Sequence, residues 1–273
     1  MFELRCTVRG CTELLHRQEN ALRCASGHHF DRAKQGYWPL VQPQDRKSVN
    51  AGDCDDAVLA RQRWLSRGHM TGLVEAIKPL AVGVTEEAPR TLDLGCGEGT
   101  FGHALFPNEA DGFCGIDLSK RAIKLAARHW PAATWVLSNA DRELPAASAS
   151  VDRVISFFGR RPATEIARVL KPTGVCIVAI PAENDLIELR EQTQQTGHRR
   201  SRWESVVEEM KTSGLALAER KIWQHQVDLE PDAIRDAMAM TYRAVRFSQK
   251  SRLEELASAT VTLAADLILL RHA

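Results

Sequence analysis

Apolar positions recur along the chain in two rhythms. Short apolar runs fall near 91–94, 112–116, 133–138, 151–157 and 174–180, each bounded by turn-forming residues. Between them, near 100–106, 119–129 and 162–170, apolar residues return every three or four positions. The short runs predict buried strands, and the three-to-four spacing predicts helices with one face on a core. Their alternation predicts an α/β fold, a doubly wound and mainly parallel sheet covered by helices.

The pattern changes on either side of this block. Upstream, Val58, Leu59, Leu65, Leu73, Val74 and Ile77 form apolar stripes over 55–81, with Gly68 dividing the segment into two predicted helices. The stretch from Gln35 to Asp56 has the extended, polar character of a linker. Downstream, 183–213 is helical and polar. Segments 215–229 and 259–271 predict two last strands, paired antiparallel, with helices near 231–246 and 248–258 between them. The organisation expected is a small N-terminal unit over 1–40, a linker and helical segment over 41–85, and the sheet domain over 86–273.

The first predicted strand ends in Asp93 and runs into a turn containing Gly95, Gly97 and Gly99, followed by a helix. Glycine suits a turn that needs positive φ or a backbone approached closely by a ligand. A strand, a glycine turn and a helix N-terminus together make a nucleotide-type cradle. Counted from Gly95 the spacing is not the dinucleotide pattern GxGxxG, because Gly102, not a residue at 100, completes that pattern. A second acid, Asp117, ends the next strand about twenty residues on, where a carboxylate can accept hydrogen bonds from ribose hydroxyls. Asn139 and Ala140 follow the third strand, so these residues fall at the strand carboxyl ends, where open α/β sheets bind ligands. Asp117 on its own would serve equally as a helix cap before Ser119.

Composition narrows the setting. Of 273 residues, 44% are hydrophobic and 26% charged, the balance of an ordinary globular protein. Lys and Arg number 36 against 35 Asp and Glu, so any nucleic-acid footprint has to be local. No apolar run reaches the length of a membrane span and the N-terminus lacks a signal-peptide profile, which makes the cytoplasm the expected location. Seven cysteines, an odd number, argue against a disulfide framework. Cys96, Cys114 and Cys176, in or beside the predicted sheet, read as small buried hydrophobes. Three others cluster early: Cys6-x4-Cys11, then Cys24-x3-His28. Two close pairs of thiol and imidazole donors suit a tetrahedral, structural zinc site, with His29 or His16 as substitutes for His28. A segment this short depends on the metal for its folding free energy.

These motifs together resemble the bacterial 23S rRNA guanine-N1 methyltransferases, a family that includes macrolide-resistance members. The glycine turn resembles motif I of class I S-adenosylmethionine methyltransferases. The family's "FDxAKxGYxxLL" is similar to Phe30 to Leu40, and its "GD…ARxxFLxxGHYxPL" to Gly52-Asp53 and Ala60 to Met70. "LDxGCGEG" occurs at 92–99, "DxSKxAIKxAA" resembles Asp117 to Ala127, and "ELARVxKPGG" resembles Glu165 to Gly174. The resemblance implies a Rossmann-like methyltransferase sheet with a zinc ribbon, S-adenosylmethionine and zinc as cofactors, and a 23S rRNA hairpin as partner; a homodimer stays open. It places zinc ligands at Cys6, Cys11, Cys24 and His28. Cofactor contacts fall on Asp93, Gly95, Gly97, Gly99, Phe101, Gly102 and Asp117, with Asn139 and Ala140 beyond. Two further cofactor positions depart from the pattern: the tyrosine of "GHY" is Met70, and the histidine of "PxxHLxEL" is Asp185.

Methylation at guanine N1 requires removal of a proton, and the sequence assigns no base for it. The loop Ser156 to Pro162 occupies the family's substrate-facing position. Phe157 or Phe158 can stack on a flipped base there, and Arg160 or Arg161 can hold its O6 or a phosphate. Equally, one phenylalanine is core and the arginines open a solvated helix. The loop lacks the Asn/Asp-Pro-Pro-aromatic signature of exocyclic-amine methyltransferases. His198 to Trp203, with three arginines, is a second local basic cluster. The competing readings are a small-molecule or antibiotic methyltransferase with the ribbon as a lid, and a non-catalytic zinc-containing RNA-binding module.

Overall fold

The computed structural model describes residues 2–42, 52–82, 88–193, 201–241 and 258–273. Its N-terminal part is a four-stranded antiparallel sheet of β1 (Leu4–Arg5), β2 (Leu14–Gln18), β3 (Ala21–Arg23) and β4 (His29–Asp31), in chain order. The rest is built on β5 (Trp38–Pro39), β6 (Thr91–Leu94), β7 (Phe113–Asp117), β8 (Thr134–Leu137), β9 (Val151–Phe157), β10 (Leu170–Pro181), β11 (Leu215–Leu229) and β12 (Ala259–His272). These join in the order β11-β12-β10-β9-β6-β7-β8-β5. Strands β5 to β10 are parallel, and β12 lies antiparallel between β10 and β11. The strand order reverses between β6 and β9, the switch point at which a crevice opens over the carboxyl ends.

The helices are α1 (Asp55–Ser66), α2 (Thr71–Ala81), α3 (Thr100–Leu105), α4 (Lys120–His129), α5 (Ala163–Val169), α6 (Ile187–Thr193), α7 (Trp203–Lys211) and α8 (Pro231–Thr241). Helix α4 shows why the sequence folds locally as it does. The Ser119 hydroxyl accepts from Ala122 N at 3.4 Å as the N-cap, and Arg128 and His129 oppose the dipole in the last turn. Ala122, Ile123, Ala126 and Ala127 form its buried face. In β10, every residue from Val175 to Ile180 is buried, as a central strand covered on both faces requires.

Gly68, at positive φ, separates α1 from α2 as its position predicts. Other boundaries differ. β10 begins at Leu170, not near 174, because Leu170 pairs with Val151 ahead of a bulge that absorbs Lys171 to Gly174. Within the expected linker, Trp38–Pro39 forms β5 against Val136 and Leu137. Proline is tolerated there because β5 is the edge strand. α8 is described as far as Thr241; the remainder of the helix expected to 246, and 248–257 of the helix expected near 248–258, lie outside the described residues. The ribbon's Phe2, Leu4 and Leu22 share one apolar core with Leu92 and Val154 of the large sheet and with Leu144 and Ala146 of the connection between β8 and β9.

Candidate functional site

The glycine turn folds back onto β7: Gly95 N and Cys96 N both donate to Ile116 O, at 2.9 and 3.0 Å. Asp117 then ties the turn to α4, accepting from Gly97 N at 2.9 Å and Ser119 N at 2.7 Å. Burial pushes its carboxyl up from the ordinary range while those two amides hold it down. Gly95, Gly97 and Gly99 all take positive φ.

A cavity of about 800 Å³ opens over the carboxyl ends of β6 to β10. Of the residues expected at a cofactor, Met70, Gly95, Phe101, Asp117, Asn139, Ala140 and Asp185 line it. Asp93, Gly97, Gly99 and Gly102 do not reach its described lining, and their identities have packing causes. A Cβ at Gly99 would stand 2.5 Å from the Trp135 ring, and one at Gly102 would stand 2.3 Å from Phe113. One at Gly97 would meet the Arg61 guanidinium at 3.1 Å. Asp93 is 3% exposed, and burial pushes its carboxyl up to about 8 against the pull of Arg61. Asp185 lies after β10, across the crevice from Asp117, and its Oδ1 accepts from Ala264 N at 2.9 Å.

Arg61, on α1, is a site residue that sequence reasoning did not single out. Its side chain is 19% exposed and lines the cavity, with Nε 3.7 Å from Glu98 Oε2. Asp117, Asp53 and Asp93 act on it as well. Among the described residues, neither carboxyl oxygen of the buried Glu98 has a hydrogen-bond partner. Even with Asp93 protonated, the acids here outnumber Arg61, so the local field favours a cation while Arg61 offers one anchor for an anion. S-adenosylmethionine, with a sulfonium, an ammonium and a carboxylate, matches that donor set.

On the other flank stand Phe158, Gly159, Arg160 and Arg161. Phe157 is 2% exposed and meets Phe101 edge-on, so it is core. Phe158 is 36% exposed at φ +58, an uncommon conformation for a bulky residue. Its N–H donates to Ala179 O at 2.8 Å. Of the second basic cluster, Arg202 lines the cavity and Trp203 lies under the Arg220 guanidinium, whereas Arg199 and Arg200 lie outside the described residues.

In the ribbon, donor atoms of Cys6, Cys11, Cys24 and His28 all lie within 4.8 Å of one another. The Cys11–Cys24 sulfurs are 3.9 Å apart, and His28 Nδ1 is 3.5 Å from Cys6 Sγ and 3.3 Å from Cys24 Sγ. A zinc–sulfur distance of about 2.3 Å implies tetrahedral edges of about 3.8 Å, so the four donors fit zinc. His29 instead pairs with Asp31 at 3.1 Å, and His16 is outside the cluster.

A methyltransferase-domain family model matches residues 91–174, and the model for the RlmA N-terminal zinc ribbon matches 4–49. Among solved structures, the YcgJ protein of Bacillus subtilis aligns with TM-score 0.50 at 16% identity, covering 75% of this chain and 100% of that one. The [4+2]-cyclase SpnF aligns equally at 0.50 and 18% identity, covering 73% and 80%. A fold shared with a cyclase shows architecture, not chemistry. Sheet order, turn and matched domain define a class I S-adenosylmethionine-dependent methyltransferase carrying a zinc ribbon. Its relatives are more specific. A 23S rRNA (guanine(748)-N(1))-methyltransferase of Streptomyces fradiae is 32% identical over 191 residues, 68% of this chain and 66% of that protein. A Micromonospora griseorubida protein, provisionally described as a 23S rRNA (guanine-N(1)-)-methyltransferase, is 31% identical over 206 residues and 68% of each chain. A Bacillus subtilis protein, YxjB, with the same provisional description, is 29% identical over 89% of this chain and 88% of its own. The chain belongs to the 23S rRNA (guanine-N1)-methyltransferase family.

Proposed function

We propose that the protein methylates N1 of a guanine in a hairpin of 23S rRNA, using S-adenosylmethionine. The observation that carries this reading is one cavity joining an acidic glycine turn to an exposed aromatic residue with arginines at its rim. Gly95, Phe101, Asp117, Asn139 and Ala140 would hold the cofactor's nucleoside and methionine portions, Met70 would cover it, and Arg61 would take its carboxylate. Asp93, Gly97, Gly99 and Gly102 would shape the cradle from behind. When bound, the cofactor supplies an electrophilic methyl group, and this chain's work is to orient the acceptor toward it and exclude water. Phe158 is the stacking platform for an unstacked base, with Arg160 and Arg161 placed for its O6 or a phosphate. Cys6, Cys11, Cys24 and His28 would hold a structural zinc. Such a substrate puts the protein in the cytoplasm.

The test is transfer of tritiated methyl from S-adenosylmethionine to unmodified 23S rRNA, followed by nucleoside chromatography. Label in 1-methylguanosine is expected. Label in another nucleoside, or none while a small-molecule acceptor is methylated, overturns the reading.

A further inference from the structure

We infer that Asp185 is the catalytic base that takes the proton from guanine N1, and so serves the acceptor rather than the cofactor. This rests on the guanine-N1 reading above. Among the described residues, four other carboxylates line the cavity: Asp53, Asp117, Asp141 and Glu209. Asp117 is committed to the turn through Gly97 N and Ser119 N. Asp53 belongs to the same end, where it acts on Arg61 and Asp117. Asp141 and Glu209 are exposed, and Asp141 is bridged to Arg160 at 3.1 Å. A well-hydrated carboxylate is a poor base toward an amide-like N–H.

Asp185 differs in both place and setting. It follows β10, the neighbour of β9, whose loop carries Phe158, and two strands, β9 and β6, separate β10 from β7 and Asp117. Its segment is fixed to β12, since Ala182 N donates to Ala264 O at 3.0 Å and Leu186 N to Thr262 O at 2.7 Å. Ala264 N fixes Oδ1, and no bond among the described residues engages Oδ2. The side chain thus stands oriented in the cavity with one oxygen available. Of the charged groups around it, Glu188 and Arg190 come from α6, and Glu188 is turned onto Thr262 at 2.6 and 2.9 Å. β12 presents it a backbone amide. Burial pushes the Asp185 carboxyl up to about 6, with Ala264 N and Arg190 holding it down and Glu188 adding to the rise. A base near the working pH is more effective than one in the ordinary carboxylate range.

The step balances. The N1 proton passes to an Asp185 oxygen, the N1 electron pair forms the bond to the methyl carbon, and the carbon–sulfur pair stays on sulfur. One cation and one carboxylate become neutral together.

The experiment uses the zinc-loaded full chain, wild type, Asp185→Asn and Asp185→His. Single-turnover methylation of unmodified 23S rRNA is followed across the neutral pH range, with calorimetric titration of S-adenosylhomocysteine and filter binding of the RNA. Asparagine keeps the acceptor for Ala264 N, so folding is preserved. Asp185→Asn is expected to lose about a hundred- to ten-thousand-fold in rate, the usual scale for general-base removal. Its affinities for S-adenosylhomocysteine and RNA should stay within about threefold. The wild-type rate should fall on the acid side near about 6, and Asp185→Asn should lack that limb. Asp185→His should recover much of the rate. An Asp185→Asn variant with unchanged rate, or one that binds S-adenosylhomocysteine at least about tenfold more weakly and recovers at saturating cofactor, overturns the assignment. A wild type that transfers no methyl to 23S rRNA overturns the guanine reading, and the base assignment with it, in a way no variant result resembles.

Discussion

A carboxylate at the end of a fully buried strand opposes folding unless something compensates its charge. Asp93 is in that position, with its acidity weakened to about 8 by burial and partly restored by Arg61. A carboxyl whose folded value lies above its unfolded one favours the folded state below the unfolded value. That advantage is lost as pH rises through the folded one. Stability of the cofactor-free protein should therefore decline between about 4 and about 8 from this group. Asp93→Asn, which mimics the protonated form, should raise the cofactor-free Tm at pH 8 more than at pH 6 and weaken binding of the cationic cofactor. Thermal scanning at the two pH values checks this, and an equal or negative change at both would contradict it. The acid itself is legible in the sequence as the end of an apolar run before glycines. Arg61 is not, because on α1 it reads as one more solvated arginine until the fold brings Glu98 to 3.7 Å. Neither could the choice between Phe157 and Phe158 be made from sequence: it depends on the left-handed backbone at Phe158, which turns that ring out of the core.

Among the elements, α1 carries Arg61 and Trp64 to the cavity, and α8, which carries Met240, holds it in place. The tie is Asp236, 4% exposed, which accepts from Arg63 Nε at 3.0 Å and Nη2 at 2.6 Å, and from Arg67 Nη1 at 2.6 Å. Those arginines keep Asp236 below the ordinary carboxylate range. Hydrogen bonds to charged groups contribute about 1.5–3 kcal/mol, but Arg63 is 56% exposed and partly screened. Asp236→Ala should cost about 1–2 kcal/mol in urea unfolding and weaken S-adenosylhomocysteine binding several-fold by loosening α1. Full cofactor affinity in a destabilised variant would detach α8 from the site. The sequence shows both helices by their periodicity, yet no local signal joins residues 63 and 236. It also shows β6, the turn and β7 clearly, because strand, glycines and acid recur at the spacing that the cradle requires. β5 escapes because two residues, one of them proline, carry no alternation to read; only pairing with β8 makes them a strand.

At the scale of the whole molecule, the ribbon and the sheet are less separable than their sequence suggests. Four soft donors in the first 28 residues read as a self-contained metal unit with its own source of stability. On that reading, loss of the metal unfolds the ribbon and leaves the sheet folded. The structure gives a different expectation. Phe2, Leu4 and Leu22 lie in the same core as Leu92, Leu144 and Val154, Arg5 N donates to Pro145 O at 3.1 Å, and the Arg5 guanidinium meets Glu143 at 3.1 Å. The chain leaves the ribbon directly into β5 at the sheet edge, and the Thr7 hydroxyl donates to Leu40 O at 2.7 Å. Releasing zinc would remove the constraint that orders Cys6, Cys11, Cys24 and His28, exposing apolar surface on both sides of this seam. Chelation of the purified protein, or Cys24→Ser, should therefore lower the Tm of the entire chain in a single cooperative transition. It should also weaken hydrogen-exchange protection in β5 and β8, not in the ribbon alone. Zinc analysis should give about one ion per chain before chelation. A sheet that melts at its original temperature after the metal is gone would show that the seam transmits no stability and that the ribbon folds on its own account.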